Sequence, residues 1–346
     1  MPQKIQTAKS ASQERKCGCA SDCPPNSQVS IAGKISRLIL TLTINPAIDR
    51  TIAVDKLVFE DRSYIQSKND TAGGRGVNAS RVLHEFKAKT AAIMTTGGAT
   101  GKQLQKLISG VGFPTDCVAV ESPTRTNLTI SDKHGLTLKL NEQGSPIKAR
   151  ELEGVRKAVE KRLSKASWLL ICGSVPPGVP AEFYAELIEM AHSKKVKTLL
   201  DTDGPVLEAG MAAKPTAVKP NQAEAERLLH RALISRHQVL DAVRELKAMG
   251  PEMVILSLGG RGAIAATNEH LLEAIPPRID PVCPIGAGDA LSAAFAWALF
   301  EGKPVADALC WGVAAGTAST LLPGVETANM EQTRAIYNRV EIHQLA

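Results

Sequence analysis

Aromatic residues are scarce in this chain, at 3% of 346 positions, and no cluster of Lys and Arg stands beside the few that occur. Proteins that grip nucleic acid show a basic stripe interleaved with stacking aromatics, so nucleic acid is not an expected partner. The formal net charge of +6 does not alter this, because residues 1–37 hold six Lys and Arg against only Glu14 and Asp22, which leaves +2 for the remainder. Long apolar runs are missing too. None reaches the ~18–20 residues that a membrane-spanning helix needs. The opening segment lacks the ~7–15-residue apolar stretch of a secretory signal. A cytoplasmic chain with no membrane partner is the expectation. Paired cysteines are also lacking: the count is seven, and Cys117, Cys172, Cys283 and Cys310 lie far apart among apolar neighbours, as buried free thiols do in a reducing compartment. Cys17, Cys19 and Cys23 form a C-x-C-x3-C cluster without a nearby fourth ligand, in polar sequence, so residues 1–37 are expected to be a disordered tail rather than a metal site.

Patterning begins at Leu38. LILTLTI, WLLIC (168–172), KTLLD (197–201) and MVILSL (253–258) are short apolar runs of the kind found in strands buried on both faces. Between them apolar residues recur at helical spacing: Leu152, Val155, Val159 and Leu163, then Phe183, Leu187, Ile188 and Ala191, then Leu240, Val243 and Leu246. Strands alternating with amphipathic helices predict an α/β domain over 38–346 with a central, mostly parallel sheet covered on both faces. Two stretches alternate strictly instead. Ile52 and Val54 alternate with Thr51, Ala53 and Asp55, and Leu128, Ile130, Leu136, Leu138 and Leu140 flank the turn SDKHG. They predict a small half-exposed sheet, a lid, drawn from about 49–69 and 116–140; an edge hairpin of the main sheet is the alternative.

Three glycine-rich segments carry candidate chemistry. TGGATGK (96–102) fails as a phosphate-binding G-x4-G-K-[ST] loop, with Thr96 at the first glycine position and Gln103 where the magnesium-binding hydroxyl belongs. GRGVNA (74–79) matches G-x-G-x-x-A, but the preceding SKNDTA is polar and no acidic residue follows at the ribose-binding distance, which argues against a dinucleotide. Gly73, Gly74 and Gly76 instead let backbone approach a small ligand, and Asn78 offers donors and acceptors to hydroxyls. In PIGAGDALSAAFAWAL (284–299) a glycine turn runs into an apolar helix through Leu291, Ala294, Phe295 and Ala298, with Asp289 at the helix start. Free N–H groups of Gly286, Ala287 and Gly288 would then receive the negative charge of a transferring phosphoryl group. An N-capping Asp289 is the structural alternative.

TINPAID (43–49), AGGRGVNASRVL (72–83), TRTN (124–127), GSVPPGV (173–179), LLDTDG (199–204), VKPNQAE (218–224), SLGGRGA (257–263) and GAGDA (286–290) occur in the order of the PfkB carbohydrate kinases. The chain resembles that family, within the ribokinase superfamily, over about residues 38–326. NPAID and TRTN resemble the branch of phosphofructokinases and tagatose-6-phosphate kinase. The resemblance implies a ribokinase-like three-layer fold with a lid, and Asp289 as catalytic base beside an anion hole of Gly286, Ala287 and Gly288. It implies sugar-hydroxyl contacts by Asp49, Gly73, Gly74 and Asn78, and sugar-phosphate contacts by Arg125, Ser174 and Arg62. Lys219, Asn221, Ser257, Gly259 and Gly262 match nucleotide-site positions, and Asn221 with Glu224 matches the N-x-x-E that organises Mg2+ through water. Two positions depart from the pattern: Arg75 stands where Lys is common and Asp203 where Ser is frequent.

The implied reaction is ATP-dependent phosphorylation of fructose 1-phosphate or fructose 6-phosphate to fructose 1,6-bisphosphate, with Mg2+ and a monovalent cation such as K+. A homodimer through the lid is the expected assembly. Tagatose-6-phosphate kinase, a kinase of an unphosphorylated sugar or nucleoside, and a non-enzymatic sensor are the alternatives. Arg125 separates the phosphosugar readings from the neutral-sugar ones, since a neutral sugar gives its charge no partner.

Overall fold

The structure is a computed structural model that describes residues 38–345 except Phe59 and Val325; the tail of residues 1–37, with Cys17, Cys19 and Cys23, lies outside the described residues. In chain order the strands are β1 (Ile39–Thr43), β2 (Ala47–Val54), β3 (Ile65–Gly73), β4 (Thr90–Gly97), β5 (Thr115–Val120), β6 (Arg125–Asp132), β7 (Thr137–Asn141), β8 (Trp168–Cys172), β9 (Lys197–Asp201), β10 (Ala217–Val218), β11 (Met253–Ser257), β12 (Ala263–Ala266), β13 (Leu271–Ile275) and β14 (Glu341–Leu345). The helices are α1 (Arg75–Glu85), α2 (Gly98–Ile108), α3 (Ala149–Leu163), α4 (Phe183–Ser193), α5 (Pro205–Ala212), α6 (Gln222–Leu228), α7 (Arg236–Ala248), α8 (Ala287–Phe300), α9 (Val305–Thr320) and α10 (Met330–Tyr337).

Ten strands form the main sheet in the order β14-β13-β12-β11-β10-β9-β8-β1-β4-β5. Pairing is parallel from β5 through to β11 and antiparallel from β11 to β14. Alternation along β1 and β8 divides the core between two faces. Leu40, Leu42, Leu169 and Ile171 pack against α3 and α4, while Ile39, Trp168 and Leu170 pack against α1 and α8. Helix α8 is buried continuously from Asp289 to Ala298, because α9 covers the side that the sheet does not; its alanines admit this close packing, and a Cβ at Gly316 of α9 would come within 2.9 Å of the Ala287 carbonyl. The start of α8 is thereby pinned. Among the described residues no helix is long and apolar enough to cross a membrane.

The lid is a four-stranded sheet in the order β3-β2-β6-β7. Its boundaries correct the expected ones in one respect: residues 116–120 belong to β5, which pairs with β4 at the edge of the main sheet. An edge strand covered on one face alternates just as a lid strand does, and here Val118 and Val120 lean on the core while Ala119 is exposed. Within the lid, Asp49 is opposite Thr71 and Asn127, and Thr51 is opposite Asn69 and Thr129, so these residues share one polar face. The other face carries Ile52, Leu128, Ile130, Leu138 and Leu140, and near its base Ile48 joins Val77, Met94 and Leu104 in a small core. Arg50 and Asp70 pair in bidentate fashion at 2.7 and 2.8 Å across the strands. Gln103 of α2 donates to the same carboxylate at 2.7 Å, which ties the lid to the body.

Candidate active site

The parallel strands β1, β8, β9, β10 and β11 end along one edge of the sheet, where open α/β folds bind ligands. A glycine turn opens α8 onto this edge. Gly286 is the N-cap, in the left-handed region at φ 79°, and Asp289 is the third residue of the helix and makes no capping bond. The capping alternative is therefore excluded. The Asp289 carboxylate instead accepts a hydrogen bond of 2.8 Å from Nδ2 of Asn78, on α1. Among the described residues the Gly288 and Asp289 N–H groups have no backbone acceptor, while that of Ala287 leans towards the Pro284 carbonyl at 3.4 Å. A Cβ at Gly286 would meet nothing within 4 Å, and one at Gly288 only the Lys219 ammonium, at 3.6 Å, which leaves open space in front of the turn. Burial, reinforced by the charge of Asp201, pushes the Asp289 carboxyl up to about 7 against the opposing pull of Asn78, Arg75 and Lys219.

On the lid side, Asp49 accepts 2.9 Å from Asn127 Nδ2 and lies directly over Gly73, where a Cβ would come 2.1 Å from its Oδ2. Burial holds the Asp49 carboxyl above its ordinary value, opposed by Asn127, Arg125 and Arg81. Gly74 follows at φ 123°, a conformation that opens α1 and that a side chain would strain. Arg125 donates from Nη1 to the Glu142 carbonyl at 2.7 Å and from Nη2 to that of Asn45 at 3.0 Å; Asn45 in turn donates to Ser174 Oγ at 3.2 Å. Asn45 thus gathers Arg125 and Ser174 into one place. Buried Asn78 Oδ1, Asn127 Oδ1 and Arg125 Nε have no partner among the described residues. Arg62 stands apart, exposed on the loop between β2 and β3.

On the opposite side, Asn221 caps α6 in a reciprocal box with Glu224: Asn221 Oδ1 accepts from the Glu224 N–H at 2.9 Å, and the Glu224 carboxylate accepts from the Asn221 N–H at 2.8 Å. An isolated bridge joins Asn221 to Ser257, and the glycine turn after β11 follows, with Gly259 at φ 61° facing open space and Gly262 at φ 88° packed on the Ala274 carbonyl. Lys219 reaches back beneath α8 and pairs with Asp201 at 3.2 Å.

Sequence reading missed the residues that join these halves. Asp201 is almost fully buried and accepts from Ser292 at 2.7 Å, Lys219 at 3.2 Å and Arg75 at 3.2 Å. Burial alone would raise its carboxyl, but the two cations and the hydroxyl hold it below the ordinary value. Its signal was an acid closing the apolar run KTLLD, where a strand delivers its last side chain into the site. Asn127 and Asn45 lay inside the TRTN and TINPAID motifs without a role.

A family model described as pfkB family carbohydrate kinase matches residues 41–332. The ATP-dependent 6-phosphofructokinase isozyme 2 of Escherichia coli K12 is 30% identical over 302 residues, covering 86% of this chain and 97% of that one. The 1-phosphofructokinase of Borreliella burgdorferi is 31% identical over 285 residues, with 82% and 92% covered. The crystal structure of E. coli phosphofructokinase-2 in complex with potassium superposes with a TM-score of 0.81 at 30% identity, over 87% of this chain and 98% of that one. The order of the glycine segments, the ribokinase-like architecture and these matches agree, and the chain belongs to the pfkB family of carbohydrate kinases.

Proposed function

We propose that this protein transfers the γ-phosphoryl group of ATP to a hydroxymethyl oxygen of a phosphorylated ketohexose, converting fructose 1-phosphate or fructose 6-phosphate to fructose 1,6-bisphosphate. The observation that carries the reading is the buried Asp289 carboxylate, held by Asn78 beside the unpaired N–H groups that open α8. Asp289 takes the proton of the attacking hydroxyl, and its raised pKa suits a base working near neutral pH. The N–H groups of Gly288 and Asp289 stabilise charge on the transferring oxygens. The unpartnered Asn127 Oδ1, beside Asp49, and Asn78 Oδ1, beside Asp289, offer acceptors to a polyol. Arg125 and Ser174 are assigned to the sugar phosphate, with the Nε of Arg125 still free to donate.

Lys219, Ser257, Gly259 and Gly262 are assigned to the nucleotide. Asn221 and Glu224 fit magnesium held through its water shell: Glu224 is 2% exposed and already accepts from Asn221 and Arg75, and among the described residues no group of three acids or imidazoles forms a direct cage. Magnesium bound with ATP supplies charge neutralisation at the β- and γ-phosphates. The potassium in the E. coli structure supports a monovalent cation requirement. Leu138 and Leu140, exposed on the apolar lid face, support a homodimer through the lid. The test is ADP release with fructose 1-phosphate, fructose 6-phosphate, tagatose 6-phosphate, fructose, ribose and adenosine. The phosphorylated ketohexoses should be used far more efficiently; equal use of fructose and its phosphates would refute the phosphosugar assignment.

A further inference from the structure

Helix α1 begins at Arg75, three residues before Asn78, so a single turn carries both the amide that holds Asp289 and a guanidinium. That guanidinium donates to Asp201 at 3.2 Å, Asp203 at 2.9 Å and Glu224 at 3.3 Å. The Glu224 carboxylate is consequently held from two sides, by Arg75 and by the Asn221 N–H. The turn has little room to shift, because a Cβ at Gly76 would come 2.5 Å from Thr43 Oγ1 and 2.7 Å from the Leu42 carbonyl. Burial alone would weaken the charge on Arg75, but Asp201, Glu224, Asp289 and Asp203 outweigh it and hold its pKa above the usual arginine range. The phosphoryl-transfer chemistry above uses Asn78 and Glu224 and gives Arg75 no role.

We infer that Arg75 is a positioning residue that couples the two substrate sites: from the helical turn that binds the sugar it fixes the Glu224 and Asp203 carboxylates for the magnesium nucleotide, so that occupancy of one site tightens the other. The inference rests on the kinase reading. Sugar hydroxyls engaging Asn78 and the backbone at Gly74 brace the start of α1 further, and with it the guanidinium. A nucleotide arriving afterwards meets carboxylates with less motion left to lose, so part of the ordering cost has already been met. A lysine at this position would keep the charge but lose the fork that spans three carboxylates.

Calorimetric titration of MgADP, with and without saturating fructose 6-phosphate, tests this in the parent, Arg75→Lys and Arg75→Gln, with thermal melting of each. In the parent, the sugar phosphate should tighten MgADP by at least about 5-fold. Arg75→Gln, which frees Glu224 from one of its two holds, should weaken MgADP by about 10-fold and bring the coupling factor to about one. Its affinity for fructose 6-phosphate alone should stay close to the parent value, its melting temperature should fall because buried Asp201 and Glu224 each lose a partner, and Arg75→Lys should fall between. Coupling that persists in Arg75→Gln would overturn the inference, as would a loss of fructose 6-phosphate affinity in parallel with that for MgADP. If neither fructose 6-phosphate nor fructose 1-phosphate binds the parent, the phosphosugar reading fails by itself. The MgADP titration then still decides the hold of Arg75 on Glu224, which an unchanged affinity in Arg75→Gln would refute.

Discussion

Asp289→Asn should make the protein a far poorer enzyme and a more stable one. The amide nearly matches the carboxylate in shape and can still accept from Asn78, so the packing of α8 is kept. What is lost is the base. Positioned general bases contribute ~10²–10⁴-fold to turnover, and kcat should fall by that range with little change in KM for ATP. The stability effect follows from the same burial. The Asp289 carboxyl is raised from 3.8 to about 7 in the fold, so the folded chain holds a proton that the unfolded chain releases. Below pH ~4 both states are protonated and the residue costs nothing. Between there and about pH 7 the parent progressively loses stability, by an amount on the order of 2–4 kcal/mol. The asparagine variant escapes this loss. Its melting temperature should match the parent near pH 4 and exceed it increasingly up to pH 8, while the parent's kcat falls on acidification below about pH 7 as the base is protonated. Near-parental turnover, or a melting temperature below the parent's at every pH, would refute the assignment of Asp289 as a buried catalytic base.

Gly73→Ala places a methyl group 2.1 Å from Asp49 Oδ2, so the carboxylate must move; sugar KM should rise sharply while KM for ATP holds, and the melting temperature should drop by the equivalent of about 1–3 kcal/mol of overpacking. Glu224→Ala removes the acceptor of both the Asn221 N–H and Arg75, and should raise the magnesium concentration needed for half-maximal rate; an unchanged magnesium titration would remove its assigned role. Arg125→Ala should lower kcat/KM for the phosphosugar by about 1.5–3 kcal/mol. An equal loss with unphosphorylated fructose would show instead that Arg125 serves only to brace the Glu142 and Asn45 carbonyls.

The central strands were legible because burial on both faces writes an uninterrupted apolar run: WLLIC is β8 and KTLLD is β9, residue for residue. The antiparallel edge was not. β12 is AIAA, too short and small to stand out, and β14 is EIHQL, whose largely exposed side chains leave no pattern to read. β5 was assigned to the wrong sheet because an alternating period reports half-burial and not which sheet provides it. The glycine turn of α8 could be placed from spacing and the N-x-x-E box from the family resemblance, since each is built within a few residues. The Arg75, Asp201 and Glu224 cluster joins residues up to 149 positions apart, and nothing local in the sequence announces such a pairing. The same holds for Asn78 and Asp289, whose separation of 211 residues only the fold closes.

The position of β1 imposes an order on assembly. It lies at the centre of the sheet between β4, which follows closely in sequence, and β8, whose Trp168 pairs with Ile39. All four lid strands fall between β1 and β8 in the chain. During synthesis the lid can therefore complete its hydrogen bonding by Asn141, while one edge of β1 still waits for a partner. A chain stalled between these points exposes the unpaired Leu40 and Leu42 edge, a template for another strand. The small sheet is thus built before the strand ends that carry the candidate site, and the hazardous interval for aggregation closes only when β8 emerges.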